Sequence, residues 1–83
     1  GEDLAAAEWA ERAARSPGAH VLIAMIASAT QAIIGEDAKA AQWAANVRLR
    51  NPVLTREDFF RAFPMKSEVT RARVANALTG LGF

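Results

Sequence analysis

The sequence predicts an all-α fold, a compact bundle of about five helices that forms a single domain over residues 1–83. Apolar residues recur at helical spacing along most of the chain. Alanine, the strongest helix former, supplies much of the 52% apolar content. Proline and glycine stand between the periodic stretches, where they separate one helix from the next. The length is that of one small domain.

Helix 1 is predicted over about residues 3–15, and one of its faces carries an apolar stripe. The stripe has the i, i+3, i+4, i+7 spacing of side chains that point to a core. Charged residues lie opposite, where Glu8–Arg12 and Glu11–Arg15 are expected to form i,i+4 ion pairs. The residues expected to be buried are Ala6, Trp9, Ala10 and Ala13.

Helix 2 is predicted over about residues 17–34 and is expected to be the central helix, because it is apolar nearly all round. Ser16 is expected to cap it, with Pro17 in its first turn. Gly35 is expected to end it in a left-handed conformation. Its apolar run is too short and too polar to cross a bilayer. His20 is expected to be a partly buried residue that hydrogen-bonds a nearby carbonyl or water.

Helix 3 is predicted to start near Glu36 and to end by Asn51, because Pro52 disfavours helical geometry at the residue before it. Residues 40–44 resemble residues 6–10 at the 34-residue spacing of tetratricopeptide repeats, although the rest of that signature is missing. A duplicated helical hairpin and a coincidence in an alanine-rich chain are both open readings. The residues expected to face the core are Ala40, Trp43, Ala44 and Val47.

Helix 4 has the clearest start signal, because Thr55 precedes Asp58 by three residues in the pattern of a capping box. Pro64 is expected to end this helix. Helix 5 is predicted over about residues 67–79, with Gly80 as its left-handed cap. The side chains expected to mark its buried side are Val74, Leu78 and Leu81.

Charge is distributed unevenly, although the formal net charge is only +1. Residues 1–42 carry more acidic than basic groups, whereas residues 43–83 carry seven basic groups and three acidic ones. Six of those seven are arginines, whose planar guanidinium suits phosphate and carboxylate groups. A basic surface in the C-terminal part favours nucleic-acid binding, and an ordinary solvated face is the alternative.

Residues 55–80 read as helix, short turn and helix. The segment 67–78, Ser-Glu-Val-Thr-Arg-Ala-Arg-Val-Ala-Asn-Ala-Leu, resembles the recognition helix of helix-turn-helix proteins, which lies in the major groove of DNA. The resemblance implies DNA binding in an accessory or regulatory role, with arginine and asparagine reading bases and other basic residues contacting phosphates. The expected nucleic-acid-binding residues are Arg48, Arg50, Arg56, Arg61, Lys66, Thr70, Arg71, Arg73 and Asn76.

A second resemblance implies a different class of function. Two segments resemble the C-terminal helical lid of AAA+ ATPases: residues 16–19, Ser-Pro-Gly-Ala before a long apolar helix, and residues 53–63, which contain the helix start Thr-Arg-Glu-Asp-Phe. Ala19 and His20 stand where that lid usually offers an arginine to the nucleotide. The implied function is a non-catalytic helical module that binds proteins in a larger machine, or a phage or plasmid accessory protein. A protein partner or a second copy would use exposed apolar residues, for which the candidates are Leu49, Phe60, Met65 and Phe83.

The sequence predicts no catalytic site, no cofactor and no metal site in this domain. It contains no cysteine and one histidine, and its isolated glycines form no phosphate-binding loop. The acidic pairs Glu36-Asp37 and Glu57-Asp58 fall at helix starts, where capping and the helix dipole explain them. The lack of cysteine and of a secretory signal pattern favours the cytoplasm, with no membrane partner.

Overall fold

Five α-helices make up most of the computed structural model, which describes residues 2–83. No strand occurs in that range. The predicted all-α bundle is therefore confirmed. In chain order the helices are α1 (Glu2–Ala14), α2 (Val21–Ile33), α3 (Asp37–Arg50), α4 (Arg56–Ala62) and α5 (Glu68–Gly80). None of these helices is long and apolar enough to cross a membrane.

Helix α2 lies at the centre and packs against α1, α3 and α5, as its apolar sequence predicts. Most of its buried residues are small, so neighbouring helices approach closely, while large side chains from α3, α4 and α5 fill much of the core. Trp43 is half-buried and packs against this core, as predicted for α3. The buried side chains contributed by α3, α4 and α5 include Val47, Phe59, Phe60, Val74 and Leu78.

The start of α2 differs from the prediction. Ser16 and Pro17 lie in a turn, and the helix begins four residues later, with His20 as its N-cap. Gly18 adopts φ +77°, a left-handed conformation that cannot continue an α-helix from Pro17. The His20 imidazole is exposed, and its Nδ1 accepts a hydrogen bond from the Leu22 N–H at 3.1 Å. The expectation of a partly buried histidine was therefore wrong.

The C-terminal ends of α2 and α5 are each followed by a glycine with positive φ, and one of these two caps, Gly35, is the predicted one. Gly35 has φ +83° and ends α2 as expected. Helix α5, however, continues through Gly80, and the left-handed residue is Gly82, with φ +93°. The Phe83 N–H donates to the Leu78 carbonyl at 2.9 Å, which is the bond that closes a Schellman motif. The predicted cap was thus wrong by two residues.

Helix α4 is short, and its start is stabilised by the predicted capping box. The Thr55 hydroxyl accepts a hydrogen bond from the Asp58 N–H at 3.2 Å, and the Asp58 carboxylate accepts one from the Thr55 N–H at 3.0 Å. The backbone and hydroxyl hydrogen bonds from Thr55 hold the pKa of Asp58 below its ordinary value. Phe59, whose ring centroid lies 5.2 Å from that of Phe60 and 5.4 Å from that of Phe63, anchors this helix to the core.

Candidate functional site

The basic residues at the end of α3 contact the protein's own backbone. Arg48 donates a hydrogen bond to the carbonyl of Leu81, and its guanidinium lies 4.7 Å from the centroid of the Phe83 ring. Arg50 donates to the carbonyl of Ala19 at 2.5 Å. These two predicted phosphate contacts therefore link α3 to the C-terminal tail and to the turn before α2.

Arg73, one of the two arginines predicted to read bases, pairs with a carboxylate. Its two terminal nitrogens lie 2.6 and 3.2 Å from the Asp3 carboxylate oxygens, so α5 is joined to the start of α1. The hydrogen bond from Arg73 holds the pKa of Asp3 below its ordinary value, and the same bond raises the pKa of Arg73. Both side chains remain about half exposed, so this pair is a surface ion pair.

The two predicted phosphate contacts on α4 also have intramolecular partners. The Arg61 guanidinium lies 3.4 Å from the Asp58 carboxylate, one helical turn before it. Arg56 donates to the Thr79 hydroxyl and lies 4.0 Å from the Glu57 carboxylate. The predicted surface of outward-pointing arginines is therefore not present as a single cluster of unpaired groups among residues 2–83.

The first half of α5 is the part of the predicted DNA-binding unit that is most open to solvent. Residues 66–73 are all exposed. The Arg71 guanidinium lies 4.3 Å from the centroid of the Phe60 ring. Within the described range, neither Lys66 nor Arg71 has a carboxylate within 4.0 Å. The predicted site residues exposed on this helix are Thr70, Arg71, Arg73 and Asn76.

The arrangement of α4 and α5 differs from the predicted helix-turn-helix unit in two respects. The connection runs over residues 63–67, which is longer than the predicted turn over residues 64–66. Helix α5 packs more extensively against α2 than against α4. The predicted recognition helix is thus held mainly by the central helix, and its buried side chains, Val74 and Leu78, belong to the shared core.

Helix α1 presents much of its predicted core stripe to solvent. Trp9 is 57% exposed and Ala6 is exposed, whereas Ala7 and Ala10 are fully buried. Ala13 is half-buried. The prediction was therefore right for Ala10 and wrong for Ala6 and Trp9, because α1 is rotated relative to the orientation that its apolar periodicity indicates.

A buried polar contact between α1 and α2 explains this rotation. The Gln31 side chain, 2% exposed, donates hydrogen bonds to the Glu11 carboxylate at 2.9 Å and to the Ala7 carbonyl at 3.3 Å. Arg15 also pairs with Glu11, as predicted. Because the buried NH2 group of Gln31 needs acceptors, the Glu11 side of α1 faces α2 and Trp9 is left outside, while the Oε1 atom of the same amide is buried without a partner among residues 2–83. Apolar periodicity counts Glu11 as a solvent-facing residue and cannot indicate this contact.

The exposed side of α1, here called the α1 face, combines an aromatic ring, small residues and charges. A shallow groove of about 210 Å³ beside the indole is lined by Trp9, Arg12, Ala13 and Ser16. The predicted Glu8–Arg12 ion pair is not formed, and no carboxylate of residues 2–83 lies within 4.0 Å of the Arg12 guanidinium. The residues of the α1 face are Glu2, Ala5, Ala6, Trp9, Arg12 and Ala13.

Other exposed apolar residues are dispersed along the chain. Of the four predicted candidates only Leu49 is strongly exposed, at 87%. Phe60, Met65 and Phe83 pack against the core instead, so those three predictions were wrong. The further large apolar residues that face solvent are Leu4, Val53 and Val69.

Neither a group of metal ligands nor a similar known protein indicates a further functional site among residues 2–83. The part of the chain that the structure describes holds no group of three or more His, Cys, Asp or Glu side chains that could bind a metal ion. Comparison with known proteins finds no matching family model, no matching curated protein and no matching solved structure. The candidate functional surfaces are therefore the α1 face and the exposed first half of α5.

Proposed function

We propose that this domain is a non-catalytic helical module that binds another protein through the α1 face. The observation that carries the proposal is the exposure of Trp9 on a regular helix. Ala6 and Ala13 lie about one turn before and one turn after it on the same side of the helix. Tryptophan has a large apolar surface to bury and is enriched among the residues that dominate binding energy at protein interfaces. A large ring beside small residues forms the ridge and groove against which a partner helix can pack.

The attachment of α1 to the rest of the domain supports this function. Ala7 and Ala10 are fully buried, and the Gln31–Glu11 hydrogen bond fixes the rotation of the helix. The α1 face is therefore held in one orientation before a partner arrives. A preorganised surface loses less conformational entropy on binding than a mobile one, which favours recognition by a small interface.

Selection of helix-forming peptides displayed on phage tests the protein-binding function. We expect the domain to enrich amphipathic helices that bind the α1 face. Trp9→Ser should weaken a selected peptide by about 30-fold, because an interface anchor contributes about 2 kcal/mol or more. Titration calorimetry with a synthetic copy of the peptide provides the measurement.

Val69→Ser is the matched control, because it removes an apolar side chain that is 73% exposed on α5 rather than α1. This variant should bind the selected peptide as the unmodified domain does. Circular dichroism of both variants should show unchanged helicity. Failure to enrich any helical peptide, or equal binding by Trp9→Ser, would contradict the proposal.

A second candidate function, DNA binding in an accessory or regulatory role, is favoured by the exposed first half of α5. Lys66, in the connection just before α5, and Arg71, on α5, have no carboxylate partner in the described range, and Thr70 is exposed one residue before Arg71. Most of the other predicted contacts are engaged within the domain. Binding through these two cations would depend mainly on phosphate charge and would be weak, with a slope of log affinity against log salt of about −2.

Gel-shift titration of random duplex DNA at two salt concentrations tests this second candidate. Arg71→Ala should weaken binding and reduce the slope of log affinity against log salt by about one. Arg61→Ala should have less effect, because its guanidinium pairs with Asp58. A domain that binds no duplex even at low salt would rule out this function.

A further inference from the structure

We infer that the α1 face binds the α1 face of a second copy of this chain, with the two helices antiparallel. This inference rests on the proposed protein-binding function and names one partner for it. Two independent features of the α1 face support a second copy: the order of large and small side chains along the helix, and the placement of opposite charges at its two ends.

The order of side-chain sizes makes the α1 face complementary to itself. Ala5 and Ala6 lie one turn before Trp9, and Ala13 lies one turn after it, on the exposed side of the helix. When two such helices run antiparallel about a two-fold axis between the levels of Ala6 and Trp9, each indole lies against the two alanines of the other copy. Such an isologous contact uses the same surface patch twice, which is the usual geometry of homodimers.

The charges of the α1 face fit the same register. Glu2 is exposed at the start of α1, and Arg12 is exposed near its end. In the register that sets Trp9 against Ala6, Arg12 of one copy lies within one residue, about 1.5 Å of helix rise, of the level of Glu2 in the other copy. The antiparallel pair therefore gains two Glu2–Arg12 contacts, one at each end. A parallel pair would place like charges together and is disfavoured.

The size of the contact indicates weak association. One pair of short helices buries less than the roughly 800 Å² per partner of a standard stable interface. We therefore expect a dissociation constant on the order of 100 μM, which corresponds to a binding free energy of about 5.5 kcal/mol. A dimer this weak would give way to a partner that binds the same face more tightly.

Sedimentation equilibrium from about 20 μM to about 1 mM, which brackets the expected constant, tests the inference. The mean mass should rise from the monomer value of 8.9 kDa toward twice that value. Glu2→Arg and Arg12→Glu should each weaken self-association by about 10-fold or more, because each places like charges at both ends of the contact. An equimolar mixture of the two variants should recover association, since only the mixed pair restores both opposite-charge contacts.

Two further variants complete the design. Trp9→Ser should remain monomeric. Glu57→Arg makes the same substitution as Glu2→Arg at an exposed position of α4, and this variant should associate as the unmodified chain does. Circular dichroism verifies that all variants keep their helicity. Recovery in the mixture is the result that a general effect of charge or of stability would not produce.

A chain that stays monomeric over the whole range would overturn the inference. So would single charge variants that associate normally, because the antiparallel register would then be wrong. The peptide selection separates this failure from that of the proposed function: a monomeric domain that binds helical peptides through Trp9 is still a protein-binding module, with a different partner.

Discussion

Six arginines between residues 43 and 83 contact chemically different groups, and those contacts decide which of them a ligand can reach. A guanidinium has five N–H donors in a fixed fork, so it readily bonds any carbonyl or carboxylate within its reach. Arg48 and Arg50 reach backbone carbonyls, and Arg73 reaches a carboxylate of α1. Arg71 lies over an aromatic ring and keeps its N–H donors available. A count of basic residues treats all of these groups as equal.

How far apart two interacting residues lie along the chain also decides whether their contact can be predicted from the sequence. Thr55 and Asp58 form the predicted capping box because the two residues are three positions apart and meet in any helix that starts there. Gln31 bonds Glu11, twenty positions earlier, and no local pattern indicates that pair. The exposure of Trp9 follows from that contact, which explains why apolar periodicity wrongly predicts Ala6 and Trp9 as core residues.

At the scale of whole helices, positions and types were predictable, whereas some ends and orientations were not. All five helices occur near their predicted places, because alanine-rich periodic segments and proline breaks are local signals. The start of α2 and the end of α5 depend on which glycine adopts positive φ. Gly18 and Gly82 do so and Gly80 does not, and a glycine's sequence context alone leaves that choice open.

The two glycines at the end of α5 should respond oppositely to alanine substitution. Gly82→Ala should destabilise the domain by about 1–2 kcal/mol, because φ +93° strains any residue with a Cβ. The new Cβ would also lie 2.6 Å from Arg48 Nη2, so that side chain must move aside. Gly80→Ala should stabilise the domain by about 0.4–1 kcal/mol, since its site is helical and open.

Urea unfolding followed by circular dichroism measures both changes as shifts in the midpoint at a common slope. The two variants control for each other, because they make the same chemical change two residues apart. Destabilisation by Gly80→Ala would contradict the helical conformation of Gly80 and would mean that α5 ends there.

The whole molecule has an apolar core around α2, and hydrogen bonds and an ion pair on its surface join segments that are far apart in the chain. Helix α2 supplies the centre, and its prediction as the central helix followed from a sequence that is apolar nearly all round. The surface contacts, by contrast, join residues whose pairing cannot be predicted from helical periodicity. The Arg48–Leu81 hydrogen bond spans 33 positions and the Asp3–Arg73 ion pair spans 70. The ion pair joins the first helix to the last, and the two links engage two of the nine predicted DNA contacts, Arg48 and Arg73.

The Asp3–Arg73 pair should make the stability of the whole domain depend on pH in the acidic range. The Arg73 hydrogen bond holds the pKa of Asp3 below its ordinary value of 3.8 in the folded state. Because the folded pKa is the lower one, this contribution is complete above the unfolded pKa and is lost as pH falls through the folded pKa. Asp3→Asn removes it, so urea midpoints of the two proteins should differ at pH 7 and converge at strongly acidic pH.

The difference should be small, because both side chains are about half exposed, and it should shrink at about 1 M salt, where surface charges are screened. Asp58, whose pKa is also lowered, contributes equally to both proteins, so their difference isolates Asp3. Overlapping unfolding curves at pH 7 and low salt would show that the ion pair joining the two ends of the fold adds nothing to stability. The packing of buried residues around α2, together with the Gln31 hydrogen bonds to α1, would then hold α1 and α5 in place.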